Sequence, residues 1–334
     1  MNLNLSKILL FLFILVGNGY SQVGLNKLAQ STMNFLLVGT SPKASAMGEA
    51  FTTMGIGVEG MFYNPAGMAD ISTTFNVGVN YTGWIADINY LSGGAAWNLG
   101  NLGVVGVNLL TVDYGTINGT SLLGPGESDL YPLGYKDNGK VSNVGAYSVG
   151  ITYAKSVSEQ FSFGTTVRIA GQNLGQSLLA DGTKDNNASK LVFDLGVKYK
   201  TFFNGFAFGM SIRNFASNIK REEIDEQLPL LFTLGASIDM IKFILPEHEN
   251  PLIVAVDFLH LNNYSERMNF GIEYRYMNML SFRGGYQTNR DLASWSGGVG
   301  FIYSLFAYDV EVNYSYSRFE IFNSVNRLSL VFSF

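Results

Sequence analysis

The last nine residues, Asn326–Phe334 (NRLSLVFSF), constrain this chain more than any other stretch. Leu328, Leu330, Phe332 and Phe334 fall on one face of an extended segment, and Arg327, Ser329, Val331 and Ser333 on the other. The termini of soluble domains usually fray into water. A strand whose apolar face runs to the final residue suits a barrel instead, where the last strand closes against the first and faces lipid. Phe332 and the terminal Phe334 also resemble the strand signal read by bacterial barrel-assembly machinery.

The same alternation recurs upstream. Phe75, Val77, Val79 and Tyr81 alternate with Asn76, Gly78 and Asn80; Met268, Phe270, Ile272, Tyr274 and Tyr276 alternate with Asn269, Gly271, Glu273 and Arg275. Segments of this kind cover roughly 74–82, 88–98, 101–114, 143–155, 159–173, 189–200, 205–215, 228–239, 251–261, 265–276, 279–287, 293–304, 307–317 and 324–334. That is about 14 strands of the length a tilted membrane strand needs. With the first strand running outward, the long connections 115–142, 174–188 and 216–227 all fall on one side. Most of the opposite connections are short turns, 240–250 being the exception, as bacterial barrels require. The pattern is weakest at 88–114, where Gly93, Gly94 and Ala95 dilute it, so an opening toward lipid is expected at 88–108.

Composition agrees. The chain is 47% hydrophobic and only 14% charged, and no stretch after the first twenty residues is apolar for long enough to be a spanning helix. A soluble β-sandwich would bury its apolar faces in a second sheet and would not need this many long strands. Residues 1–21 read as an export signal: Lys7 precedes the apolar run Ile8–Val16, and Gly19-Tyr20-Ser21 leads to a cut before Gln22. There is no cysteine, hence no lipidation site, disulfide or thiolate metal site, and the net charge of −5 argues against nucleic-acid partners. The expected location is the bacterial outer membrane, with its lipids as surroundings.

Charge placement separates the two faces, because Lys or Arg facing lipid at the bilayer midplane costs roughly 2–4 kcal/mol. Arg168, Asp194, Lys198, Arg213, Asp257, Glu273, Arg275, Arg283, Asp309 and Glu311 all lie in phase with the small and polar residues of their strands, so they face the lumen. Their five acids and five bases suggest pairing with each other or with a plug rather than a ring of one sign. Tyr81, Tyr153, Tyr199, Tyr276, Trp295, Tyr303 and Tyr316 sit near strand ends on the other face, as interfacial girdles do.

Residues 22–73 lack this alternation and are long enough to plug a barrel of about 14 strands. They contain Lys43-Ala44-Ser45-Ala46-Met47-Gly48-Glu49-Ala50-Phe51, a short helical turn or loop, and then Tyr63-Asn64-Pro65-Ala66-Gly67-Met68-Ala69, whose Asn-Pro and Gly favour a tight turn. This pair of elements resembles the N-terminal hatch of the PorV/PorQ family, which is related to the long-chain fatty acid transporter FadL. Met47, Gly48, Asn64, Pro65, Ala66 and Gly67 carry the resemblance. Such hatches often hold two acidic residues before the Asn-Pro-Ala element; here Glu59 stands alone. The resemblance implies an all-β transmembrane barrel with an N-terminal hatch, and two possible tasks. One is an accessory role in type IX secretion, with translocon components or exported cargo as partners. The other is FadL-like passage of an apolar small molecule, with Asn64–Gly67 helping to gate it.

No catalytic, cofactor or metal site is expected. Glu247-His248-Glu249 sits in a Pro-bounded connection without a second histidine, His260 lies at a strand end, and there is no Gly-x-Ser-x-Gly elbow or helix-opening glycine loop. The run 220–226 reads as a solvated external loop.

Overall fold

Segments that alternate with period two, and whose apolar face has nothing in the chain to pack against, can satisfy both backbone and side chains only by closing on one another in lipid. The computed structural model shows that closure. It describes residues 31–334, apart from 128, 143, 180–181, 204, 222–223, 246–247, 291–294, 307, 320 and 323. The signal at 1–21 and hatch residues 22–30 lie outside the described residues, as does Glu247.

Fourteen strands form one closed antiparallel barrel in sequence order: β1 (Phe75–Gly83), β2 (Asn89–Asn98), β3 (Val104–Asp113), β4 (Val144–Ser156), β5 (Phe161–Leu179), β6 (Gly182–Lys200), β7 (Ala207–Phe215), β8 (Leu231–Asp239), β9 (Leu252–Leu261), β10 (Arg267–Tyr276), β11 (Leu280–Gln287), β12 (Trp295–Leu305), β13 (Tyr308–Ser317) and β14 (Val325–Ser333). β14 closes against β1 from Asn76↔Ser333 to Gly83↔Asn326. Phe334 extends the seam, its N–H and C=O exchanging hydrogen bonds with Phe75 while the two rings stack at 5.2 Å. No described helix is long and apolar enough to cross a membrane.

The burial pattern inverts that of a soluble protein. Val79, Leu91, Ile151, Leu328, Phe332 and Phe334 are exposed on the outside, while Asn80, Ser92, Asn108, Thr152 and Ser329 are buried within. Of the expected girdle, Tyr81, Tyr199, Tyr276, Trp295, Tyr303 and Tyr316 are exposed and Tyr153 is half-buried.

Three features differ from the sequence reading. The connection expected at 174–188 is a continuation of the β5–β6 hairpin, which stays paired out to Leu179↔Gly182. Most of its residues are polar and the alternation of the wall is lost there, as expected of a hairpin that runs beyond the lipid, where backbone pairing needs no apolar face. The loop 115–142 likewise contains a hairpin, Asn118–Leu122 with Tyr135–Lys140. Most importantly, the wall is not open at 88–108: β1–β2 and β2–β3 pair without a register shift. Gly94 and Gly106 serve the lumen, since an added methyl at either would meet Met61 of the hatch. The irregularity lies instead between β6 and β7, where Arg213 and Asn214 bulge opposite Asp194 and Asn214 takes a left-handed φ of 64°.

Residues 31–74 lie within the barrel as short helical turns: Asn34–Leu37, α1 (Pro42–Ala46), Gly57–Glu59, α2 (Gly60–Tyr63) and Pro65–Asp70. Most of this hatch is buried, including Met33, Ala44, Met47, Ala50, Phe51, Met61, Asn64 and Met68. Lumen-facing glycines on many strands leave room for its backbone. A methyl at Gly164 or Gly196 would collide with Asn64–Ala66, one at Gly209 with Thr52, and one at Gly271 or Gly285 with Met47 and Gly48.

Candidate ligand chamber above the hatch

The hatch is held by a descending series of polar anchors. Near the end that carries the long loops, Thr32 N–H donates to Gln227 C=O (3.0 Å), and Arg327 Nε donates to Gly39 C=O (2.9 Å). Ser41 caps α1, accepting from Ala44 N–H, and donates to Glu59 Oε1 at 2.7 Å. Lys43 then bridges Glu59 (2.8 Å) and Glu311 of β13 (2.6 Å). The second carboxylate thus comes from the wall, where the sequence showed only Glu59. Burial alone would lower the Lys43 pKa; Glu311, then Glu59, outweigh it and hold the ammonium above its usual value.

Deeper in the lumen, Gly48 takes a positive φ of 62° with its backbone against β10 and β11, and its carbonyl accepts from Gln287 (3.0 Å). Asp257 of β9 accepts three hydrogen bonds on one oxygen, from Phe51 N–H and Thr52 N–H (both 2.9 Å) and from Thr52 Oγ1 (2.7 Å). Asn64 is fully buried. Its Nδ2 donates to Thr52 C=O (2.9 Å) and Val197 C=O (3.0 Å), and its Oδ1 accepts from Ala66 N–H (3.1 Å), capping the turn that Pro65 starts. Gly67 sits where a side chain would collide with the Gly55 carbonyl. At the far end Asp70 pairs with Lys198 (2.8 Å) and Lys200 (2.5 Å).

The remaining lumenal charges from the sequence reading fall into two groups. Arg168 pairs with Asp194 (3.1 Å) and bonds Asn214 Oδ1, while Asp194 also accepts from Asn214 N–H (2.7 Å), stapling the bulge. The bulge turns Arg213 toward the hatch, where Nη1 donates to Phe62 C=O (2.5 Å) and the guanidinium lies over the Tyr63 ring at 5.4 Å. Glu273 receives Arg275 (2.7 Å) and Arg283 (2.5 Å), and Arg283 also approaches Glu311 at 3.9 Å. Asp309 is half-buried at the start of β13.

What these anchors leave open lies on the long-loop side of the hatch. One cavity of about 340 Å³ has Gly39, Ser45 and Glu49 of the hatch as its floor. Its walls include Trp84, Tyr264 and Phe319 and the guanidiniums of Arg267, Arg290 and Arg327. Trp84 meets Phe319 edge-on at 5.3 Å; Arg327 lies over Trp84 at 5.4 Å, and Arg267 over Tyr264 at 4.4 Å. A second cavity of about 480 Å³ lies beyond the hatch segment, lined by Met33, Phe35, Tyr90, Tyr114 and Leu174 among others. The two share Asn34, Val38 and Trp84, so the first turn of the hatch partitions them. A void of about 40 Å³, lined by Leu37, Glu49, Thr52, Tyr63, Arg213 and Asp257, continues downward from the first.

The three arginines of this chamber were not among the lumenal charges read from the sequence. Arg327 and Arg267 lie inside the segments 324–334 and 265–276, in phase with the inward residues of β14 and β10, so the alternation alone was enough to place them in the lumen. Arg290 belongs to a loop and carries no such signal. Burial, and next the Arg267 guanidinium, lower the Arg290 pKa to about 10, so it remains a cation at neutral pH.

No family model matches the sequence, and no curated protein matches it. Solved structures do. The toluene transporter TbuX of Ralstonia pickettii is 15% identical with a TM-score of 0.60, over 89% of this chain and 98% of that one. The Pseudomonas putida toluene transporter TodX is 13% identical with a TM-score of 0.55, over 88% and 97%. A Pseudomonas aeruginosa FadL homologue is 12% identical with a TM-score of 0.52, again over 88% and 97%. At such identities the likeness is one of fold. The chain has the FadL-like fold, a bacterial outer-membrane barrel of fourteen strands with an N-terminal hatch.

Proposed function

We propose that this barrel takes up small hydrophobic molecules across the outer membrane, capturing them in the chamber above the hatch. The observation that carries this reading is the combination of a plugged lumen with an aromatic-walled cavity on the long-loop side. A general pore keeps a water-filled lumen; here the hatch fills it, so a solute must first bind and then displace part of the plug. The Asn34–Leu37 turn is the part to move, because it separates the two cavities and Leu37 lines the void below. The shared fold with toluene transporters supports an apolar ligand.

The test is accumulation of a labelled monoaromatic hydrocarbon by bacteria producing the barrel. Faster uptake than in barrel-free cells is expected, and slower uptake when Leu37→Trp blocks the lower void. Uptake no faster than in barrel-free cells refutes the reading.

A second reading is an accessory role in type IX secretion, as the PorV/PorQ-like hatch elements suggest. One observation favours it: Leu122, Leu130 and Leu133 are 91%, 74% and 76% exposed on the 115–142 loop, an apolar surface suited to a protein partner. Mild-detergent extraction with large stoichiometric partners, and no uptake, replaces transport by this role.

A further inference from the structure

The outer, lipid-facing wall carries a concavity of its own. Over β7–β9 a groove of about 460 Å³ has Ala236 as its floor, Phe208 and Met210 of β7 as one side, and Val256 and Phe258 of β9 as the other. Strand register creates it. Ala236 stands opposite Phe208 on one neighbour and Val256 on the other, so a single methyl group faces out between larger side chains. Both strand pairs run without a register shift, which gives the groove a closed floor.

We propose that this groove is a binding site for a phospholipid of the inner leaflet, one of whose acyl chains lies along β8. The assignment is independent of what the chamber inside the barrel takes up.

Three features point to it. The first is chemistry: the side chains of the floor and both sides are apolar, and they belong to the face that lipid covers. The second is depth. Ala236 stands three residues before Asp239, the end of β8 opposite the long loops, or about 10 Å at 3.3 Å per residue. Half of a bilayer's hydrocarbon core is about 15 Å thick, so the groove lies in the inner half. Phe161 and Tyr199, paired at that same end of β5 and β6, form its rim, at the interfacial level where aromatic rings gather. A chain entering from the inner headgroup layer reaches the groove with its first carbons. The third is contact. No hydrophobic driving force separates protein from lipid tails, so residence depends on how many atoms touch. A chain on a flat wall is touched from one side; a chain here is touched by the floor and by both sides, and its dispersion contacts add.

The experiment extracts the full barrel from outer membranes in mild detergent, adds dioleoylphosphatidylethanolamine, and counts retained lipids by native mass spectrometry. One phospholipid per barrel is expected. Ala236→Trp fills the groove and should lower that occupancy about tenfold. Ala236→Leu is a milder second variant, and heat-modifiable migration confirms that both fold. The control is Ala95→Trp, the same change on the lipid face of β2, where Ala95 stands between Val77 and Val107; it should keep the lipid. No retained phospholipid in the unaltered barrel overturns the proposal, as does occupancy that survives both Ala236 substitutions or falls equally with Ala95→Trp. Lipopolysaccharide retained in place of phospholipid overturns the inner-leaflet assignment. Slower uptake of a labelled hydrocarbon by Ala236→Trp, with lipid retention unchanged, overturns the lipid site and makes the groove part of the transport path.

Discussion

Asp257→Ala should loosen the middle of the hatch without harming the barrel. One carboxylate oxygen receives two backbone N–H groups and one hydroxyl, all from Phe51 and Thr52, and removing it strands three buried donors. Each buried donor left unpaired costs about 1–3 kcal/mol. The adjoining void of about 40 Å³ is lined by both Thr52 and Asp257 and has room for water. Water recovers part of the loss, so the expected cost is the lower bound, about 3 kcal/mol for three donors. That corresponds to a local opening constant raised by about two orders of magnitude. Hydrogen exchange on the nanodisc-held protein reads it directly: amides over 47–57 should exchange about a hundredfold faster, and β9 amides at the wild-type rate. Asp257→Asn, which keeps an acceptor, should fall between, at about tenfold. Unchanged exchange at Phe51 and Thr52 would refute the claim that Asp257 holds the hatch. Faster exchange throughout β8–β10 would refute the separation of hatch from wall.

Further outcomes follow from the same geometry. Deleting Phe334 removes the ring stacked on Phe75 and two seam hydrogen bonds, and should cut the heat-modifiable fraction recovered from outer membranes. Gly196→Leu places a side chain where Asn64 and Pro65 lie; the barrel should still form but with its hatch displaced, seen as raised single-channel conductance in planar bilayers. Lys43→Met leaves Glu59 and Glu311 without their shared cation, at about 3–5 kcal/mol for a broken buried pair. A companion Glu311→Gln should recover part of that loss in denaturant titrations, and strict additivity would argue against the pairing.

Much of the wall was legible in the sequence. Val79 faces out and Asn80 in because the period of a strand is two and lipid tolerates only one of them; both facts are local, so reading residue by residue recovers them. The same reading misjudged Gly93 and Gly94. Glycine weakens alternation wherever it occurs, and only the hatch reveals that Gly94 gives room to Met61. It also stopped the β5–β6 hairpin at the membrane's edge, since outside lipid the alternation that marks a strand is no longer required.

Strand number, the inward and outward faces, closure through Phe334 and the presence of a plug were thus determined by the sequence itself, through short-range periodicity and the cost of placing charge in lipid. The chamber was decided only by tertiary structure. Glu49, Trp84, Arg267, Arg290, Phe319 and Arg327 come from the hatch, four loops or strand ends and the last strand, and they meet at one depth. Parity can tell that a residue faces the lumen. The azimuth and height at which it arrives depend on how fourteen strands stagger on closure and on the path of the hatch, which are properties of the whole barrel.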